Sequence, residues 1–251
     1  THASTGFPMM IFLPQGKAAH GTSLSVCAFS RIGTNHSAAT LILSIYGNHR
    51  MIAALYVETN GCYFGLAGVD PWDINRDARL YSGPFPVVAH PPCERWGRFA
   101  EGSMTKKTEK AGDDGGCFAA ALASLRRCGG VLEHPAHSKA WAAHGIPTPP
   151  KTGWLRIGWA EWTCEVEQGH YGHPARKKTW LMFVGPKPPE LIWGPAEQRL
   201  PAKRLAERGY ESARRCGIVA NMSTRQRQRT PPEFRDLLLS LVEPLSTALA
   251  G

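Results

Sequence analysis

The run from residue 84 to residue 135 constrains the fold more than any other part of the chain. PFPVVAH (84–90) is a short apolar stretch rich in Val, the pattern of a strand covered on both faces. A polar loop follows, and then GDDGGCFAAALASLRRCGG (112–130) reads as a helix. Asp113 or Asp114 caps its start, Ala and Leu fill it, Arg126 and Arg127 suit its last turn, and Gly129 stops it. GVLEHP (130–135) comes at once as a second strand. Strand, helix, strand in this order is a βαβ unit with a parallel pair. The expectation is an α/β chain with a mostly parallel sheet and helices on both faces.

Other segments extend this frame. ALYVE (54–58) reads as an earlier strand, and WTCEVEQ (162–168) and TWLMFVG (179–185) as later ones, with HYGHPARKK between them. FRDLLLSLVEPL (234–245) reads as a closing amphipathic helix. Residues 1–50 differ from the rest. They hold no Asp or Glu, and LILSIY (41–46) is their only convincing ordered element. The expected organisation is a poorly specified extension over 1–50, a catalytic domain over 51–198, and a basic segment with a closing helix over 199–251.

Charge narrows the partners. The chain of 251 residues carries 29 Lys and Arg against 20 Asp and Glu, a net charge of +9. Most of that excess sits within 199–235, where ten Lys and Arg meet only Glu207, Glu211 and Glu233. A polyanion fits such a segment, nucleic acid before membrane. No apolar run approaches the ~20 residues of a membrane span, and MMIFLP is too short for a signal peptide. The seven cysteines are irregularly spaced, with no CxxC. Reduced thiols in a cytoplasmic setting suit that pattern better than a disulfide framework or a zinc ribbon.

The chemistry is expected where the parallel strands end. HPPC (90–93) closes the first strand of the βαβ unit. Each proline fixes φ near −65° and pushes its predecessor extended, so Cys93 is held at the strand tip. A thiolate there is a nucleophile if nearby positive charge lowers its pKa, and Arg95, Arg98 or His90 could supply that charge. Glu133 ends the second strand, where burial would raise its pKa and let it donate a proton. Arg176, Lys177 and Lys178 follow the turn built by Tyr171, Gly172 and Pro174, and could hold a phosphate or a base carbonyl.

Taken in order, HPPC (90–93), EHP (133–135) and YGHPARKK (171–178) resemble the motifs of the DNA cytosine-5 methyltransferases, and more narrowly a small bacteriophage-type relative. That family has a Pro-Cys nucleophile loop, a Glu-Asn-Val strand end, and a Tyr-Gly-x-Pro turn leading into a Gln-x-Arg-x-Arg strand. The resemblance covers residues 51–185. It implies a Rossmann-like fold of the S-adenosylmethionine-dependent kind, with Cys93 adding to C6 of a cytosine, Glu133 at N3, and Arg176 or Lys177 on the base carbonyl. LYVETNGCYFGL (55–66) is similar to the family's cofactor loop, and NMS (221–223) to its last motif. S-adenosylmethionine would then meet Gly61, Gly65, Asp77, Pro92 and Asn221. Double-stranded DNA would meet Arg95, Arg98, Lys178, Arg225, Arg227 and Arg229. The base must flip out of the duplex to be reached. The chain departs from the family at His134, which replaces the Asn of Glu-Asn-Val, and at Ala175, Lys177 and Thr179, which replace the Gln and the two Arg.

Three other readings compete. His134 with His137 and His170 with His173 have a spacing seen in zinc sites, though HPAH contains a proline and is not one helical face. A pyrimidine C5 modifier could use the same Cys and Glu with a different donor. A catalytically inactive DNA-binding protein could keep the same fold.

Overall fold

A computed structural model describes residues 51–97 and 110–248; the extension over 1–50, with LILSIY, and Arg98 lie outside the described residues. Seven strands make one sheet: β1 (Ile52–Leu55), β2 (Val69–Trp72), β3 (Val87–Ala89), β4 (Gly130–Pro135), β5 (Leu155–Arg156), β6 (Glu161–Glu167) and β7 (Lys178–Val184). The helices are α1 (Cys117–Cys128), α2 (Lys139–Ala143), α3 (Ala202–Cys216), α4 (Thr224–Gln228) and α5 (Pro232–Ala248). The strand order is β2-β1-β3-β4-β7-β6-β5.

The sheet is mixed, not mostly parallel. β1 pairs in parallel with β2 and β3, and β3 with β4, but β7 is antiparallel to both β4 and β6, and β5 is antiparallel to β6. The reason lies in the connections. Between β6 and β7 lies only a short 3₁₀ turn (Gln168–Tyr171) and a loop, too little chain for a crossover, so the two strands must run as a hairpin.

Period-two alternation packs both faces. Ala53, Leu55, Val87, Ala89, Leu132 and Met182 bury one face against Phe118, Ala121 and Leu125 of α1. Ile52, Ala54, Val88, Val131, Leu181 and Phe183 bury the other against Phe234, Leu238 and Val242 of α5. The N-cap of α1 is Gly116, not an Asp, but Asp114 two residues earlier still serves the helix start: its carboxylate accepts from the Phe118 backbone N–H at 2.8 Å and from the Trp96 indole at 2.8 Å. Gly130 opens β4 with φ 126°, and a Cβ there would overlap the Val87 carbonyl, so only glycine lets β3 and β4 start side by side.

The ALYVE expectation is shortened. β1 stops at Leu55 because Tyr56 takes φ 59°, which a continuing strand cannot accommodate. No helix follows β1; residues 56–68 return to β2 through turns. No helix among the described residues is long and apolar enough to cross a membrane.

Candidate active site

β1 has β2 on one side and β3 on the other, so the chain reverses its direction of growth at β1. Outside the carboxyl ends of such strands an open α/β sheet forms a natural crevice. A cleft of about 1430 Å³ opens there, lined by the β1 exit (Tyr56–Tyr63), by His90–Glu94, by Glu133–Pro135, by Lys177, and by residues of the basic segment.

Three strand ends place the central groups. Ala89 pairs with Leu132, so His90 and Glu133, one residue further on, lie abreast at the tops of β3 and β4. Pro91 and Pro92 then carry Cys93 round the rim. β7 is antiparallel, so it begins where β4 ends: Pro135 pairs with Thr179, and Lys177 enters the same cleft. A lysine there follows directly from the mixed sheet.

Glu133 is bound on both oxygens. His90 Nδ1 lies 2.9 Å from Oε2, and Gln168 Nε2 donates to Oε1 at 3.3 Å. The other His90 nitrogen, Nε2, lies 2.8 Å from the Tyr63 hydroxyl. Burial alone would raise the Glu133 carboxyl, but the His90 hydrogen bond and the charges of His90 and Lys177 outweigh it and hold it below the ordinary value. This reverses the expectation of a carboxyl raised by burial. Burial pushes the Cys93 thiol up, and the Glu133 charge pushes it further, with Lys177 opposing. Among the described residues, burial and Glu133 therefore outweigh the positive charge of Lys177, and the shift runs opposite to the expected activation. Burial also lowers the Lys177 ammonium, against the pull of Glu133 and Cys93.

Backbone strain gathers at the same place. Of the four non-glycine residues with positive φ among the described residues, Tyr56, Asn60 and Lys177 line the cleft. Lys177, at φ 43°, donates from Nζ to the Gln228 and Arg229 carbonyls at 3.1 and 3.2 Å, which ties the site to the basic segment. Arg225 reaches over the opening to Glu58 at 2.8 Å, and Arg235 donates to the Cys62 carbonyl at 2.7 Å. Arg227, Arg229 and Pro92 line the same rim.

Other expected residues lie elsewhere. Arg176 turns to the Ala196 carbonyl at 2.8 Å and to Glu167, and Lys178 pairs with Glu165 at 3.1 Å. Gly65, Asp77 and Asn221 are not among the residues that line the cleft, and Asp77 is bound to Arg79. Gly61 does line it, and a Cβ there would press on the Glu58 carbonyl at 2.7 Å, so its glycine is required by the turn. Arg95 sits in the turn after Cys93, where its carbonyl accepts from the Gly112 N–H at 2.8 Å.

His134 is fully buried at the wall of the cleft. Its Nδ1 meets the Ser138 hydroxyl at 2.7 Å, and its ring stacks beside Trp141. His137 packs on Trp180, His170 Nε2 meets the Gly194 carbonyl, and His173 Nδ1 the Ala175 carbonyl. Among the described residues, no three His, Cys, Asp or Glu converge as a metal site would require. Sequence reasoning missed Tyr63 and Gln168, whose roles depend on strand register. It also missed Asp73, a buried carboxylate at the end of β2 that accepts from the Thr59 hydroxyl at 2.7 Å and so fixes the β1 exit.

No family model matches the chain, and a comparison with curated proteins returns no match.

Proposed function

We propose that the protein modifies cytosine at C5 in double-stranded DNA, as a methyltransferase-like enzyme whose nucleophile is Cys93. One observation carries this reading. A thiol on a rigid Pro-Pro turn, a buried carboxylate and a lysine come from three different strand ends into one cleft, beneath an arginine-rich rim. A pyrimidine ring needs these groups together. The thiol attacks C6, the carboxyl serves N3, and a cation holds the C2 carbonyl. Their order along the chain is also that of the cytosine-5 methyltransferases, and the mixed sheet with helices on both faces suits the Rossmann-like fold that this resemblance implies.

Cys93 Sγ bonds to C6. The C5=C6 pair shifts to C4–C5, and N3 gains a proton, which makes C5 an enamine carbon able to attack an electrophile. Lys177, and not Arg176, is the cation placed to hold the base. Arg225, Arg227 and Arg229 meet phosphates at the rim, and the target base flips into the cleft at a cost of a few kcal/mol. The basic segment is small for a full recognition domain, so sequence preference should be short or loose.

The cleft is larger than a base requires and has room for a second ligand. S-adenosylmethionine would supply an electrophilic methyl group there. Glu58 and Asn60 offer acceptors for its ammonium and ribose hydroxyls, and Arg235 a partner for its carboxylate. A second reading keeps the Cys93 chemistry but uses another donor. It is favoured by the 58–61 turn, which closes on itself through the Gly61 N–H to the Glu58 carbonyl at 2.8 Å and leads into no helix.

Nucleoside mass spectrometry separates these readings. The protein is incubated with duplex DNA and isotopically labelled S-adenosylmethionine, with Cys93→Ala in parallel. Labelled 5-methylcytosine that disappears in the variant is the expected result. Unlabelled DNA moves the donor elsewhere, and duplex binding with no chemistry in any form points to an inactive DNA-binding protein.

A further inference from the structure

At rest the thiol is held protonated and its neighbouring carboxylate ionised, the reverse of what attack on a pyrimidine needs. The hydrogen bonds around Glu133 offer a way out. We propose that His90 and Glu133 form a dyad that holds one proton between them and relays protons from the Cys93 thiol to N3 of the base. This inference rests on the cytosine reading and names the proton source for it.

The geometry carries the proposal. His90 is bonded at both nitrogens, to Glu133 Oε2 at 2.9 Å and to the Tyr63 hydroxyl at 2.8 Å. A hydroxyl donates or accepts as required, so Tyr63 stays bonded to Nε2 in either protonation state of the ring. Tyr63 is itself buried, which keeps it a neutral phenol. The ring therefore takes up or releases a proton without losing a partner. Both side chains of the dyad are nearly buried, at 12% and 11% exposure, so they exchange with the cleft more readily than with bulk water.

The other charged groups facing the pair are few. Lys177 approaches Glu133 from the start of β7, and the His134 ring and the Cys93 thiol lie close by. On the Tyr63 side, Cys62, Arg235 and Asp236 are the neighbours.

The steps balance. The thiol gives its proton to the dyad and Sγ bonds to C6. The C5=C6 electron pair moves to C4–C5, the C4=N3 pair moves to N3, and the dyad gives N3 one proton. The dyad ends with the number of protons it began with, and no redox partner is needed.

The test uses release of tritium from duplex DNA carrying 5-tritiated cytosine, with no donor present. The amide of His90→Gln can still hydrogen-bond Glu133 but cannot pass a proton on. His90→Gln is expected to slow release by about 10²-fold. Both proteins should stay nearly level from pH 8 to pH 6, because the thiol loses one proton as Glu133 gains one. Imidazole added at constant pH should restore release several-fold in His90→Gln, by carrying that proton, and leave the wild type unchanged. A His90→Gln protein with the wild-type rate, or a slow one that imidazole does not restore, would overturn the relay and leave His90 a positioning residue. If that variant does not fold, Tyr63→Phe should give a loss of several-fold, and an unchanged rate would count against the relay.

If the wild type releases no tritium, the cytosine reading fails, and the dyad is judged on Cys93 alkylation by iodoacetamide at pH 7 in the free protein. His90→Gln leaves the Glu133 charge uncompensated beside the thiol and should slow alkylation several-fold. Glu133→Gln removes that charge and should speed it. Equal rates in all three proteins would overturn the dyad whatever the substrate.

Discussion

Lys177 and Arg176 are neighbours with opposite surroundings, and the difference decides their roles. Lys177 stands in the cleft between Glu133 and Cys93, whereas Arg176 closes a structural contact with Ala196 and Glu167. Lys177→Met should therefore cut the rate of base modification by about 10²-fold or more. Arg176→Ala should leave the rate within a few-fold and lower the melting temperature instead. Equal losses of rate in the two variants would contradict this assignment. Glu133 makes a second prediction at the same scale. A carboxyl held below its ordinary value stabilises the fold above its unfolded pKa, near 4.3, and that stability is lost as pH falls through the lowered one. Melting temperature measured from pH 7 to pH 3 should fall less steeply in Glu133→Gln than in the wild type. Parallel curves would mean that Glu133 is not held ionised by His90 and Lys177.

Elements, more than single side chains, bring the site together. HPPC and EHP were legible because each closes an apolar run and is punctuated by proline, which set Cys93 just beyond one strand and Glu133 near the end of another; β3 stops earlier, at Ala89, and β4 runs on to Pro135. The pairing of His90 with Glu133 was not legible, since it depends on the register of β3 against β4. Nor was the antiparallel β7 foreseen, because a strand's direction leaves no trace in its composition; only the shortness of the link to β6 reveals it. β2 is VDPW, four half-buried residues with a proline, and offers no periodic signal. α3 is polar and broken at Gly209, so its sequence showed only a basic segment and no helical period. α5 joins core to site: Phe234 is fully buried, and its neighbour Arg235 holds the Cys62 carbonyl. Phe234→Ala should cost about 3–5 kcal/mol in denaturant unfolding. It should also weaken base modification through the displaced 62–63 segment, and a variant destabilised this much with unchanged activity would separate α5 from the cleft.

Across the whole molecule, the excess positive charge is concentrated on one segment. The rim arginines sit on a segment that carries most of the net +9, and the cleft lies directly beneath them. Duplex binding should weaken steeply with salt, and replacing Arg225, Arg227 and Arg229 by Gln should reduce the log–log salt slope by about 2–3. An unchanged slope would move the phosphate contacts off this rim. The central claim is that Cys93 adds covalently to a cytosine ring drawn from duplex DNA. Intact-mass measurement after incubation with a duplex carrying 5-azacytosine tests it most directly, because a ring nitrogen at position 5 makes C6 more electrophilic and leaves no hydrogen to eliminate. The account predicts a species with the summed mass of protein and strand, joined through the peptide that contains Cys93 and absent from Cys93→Ala. Free protein alone, under conditions where the duplex is bound, would contradict it.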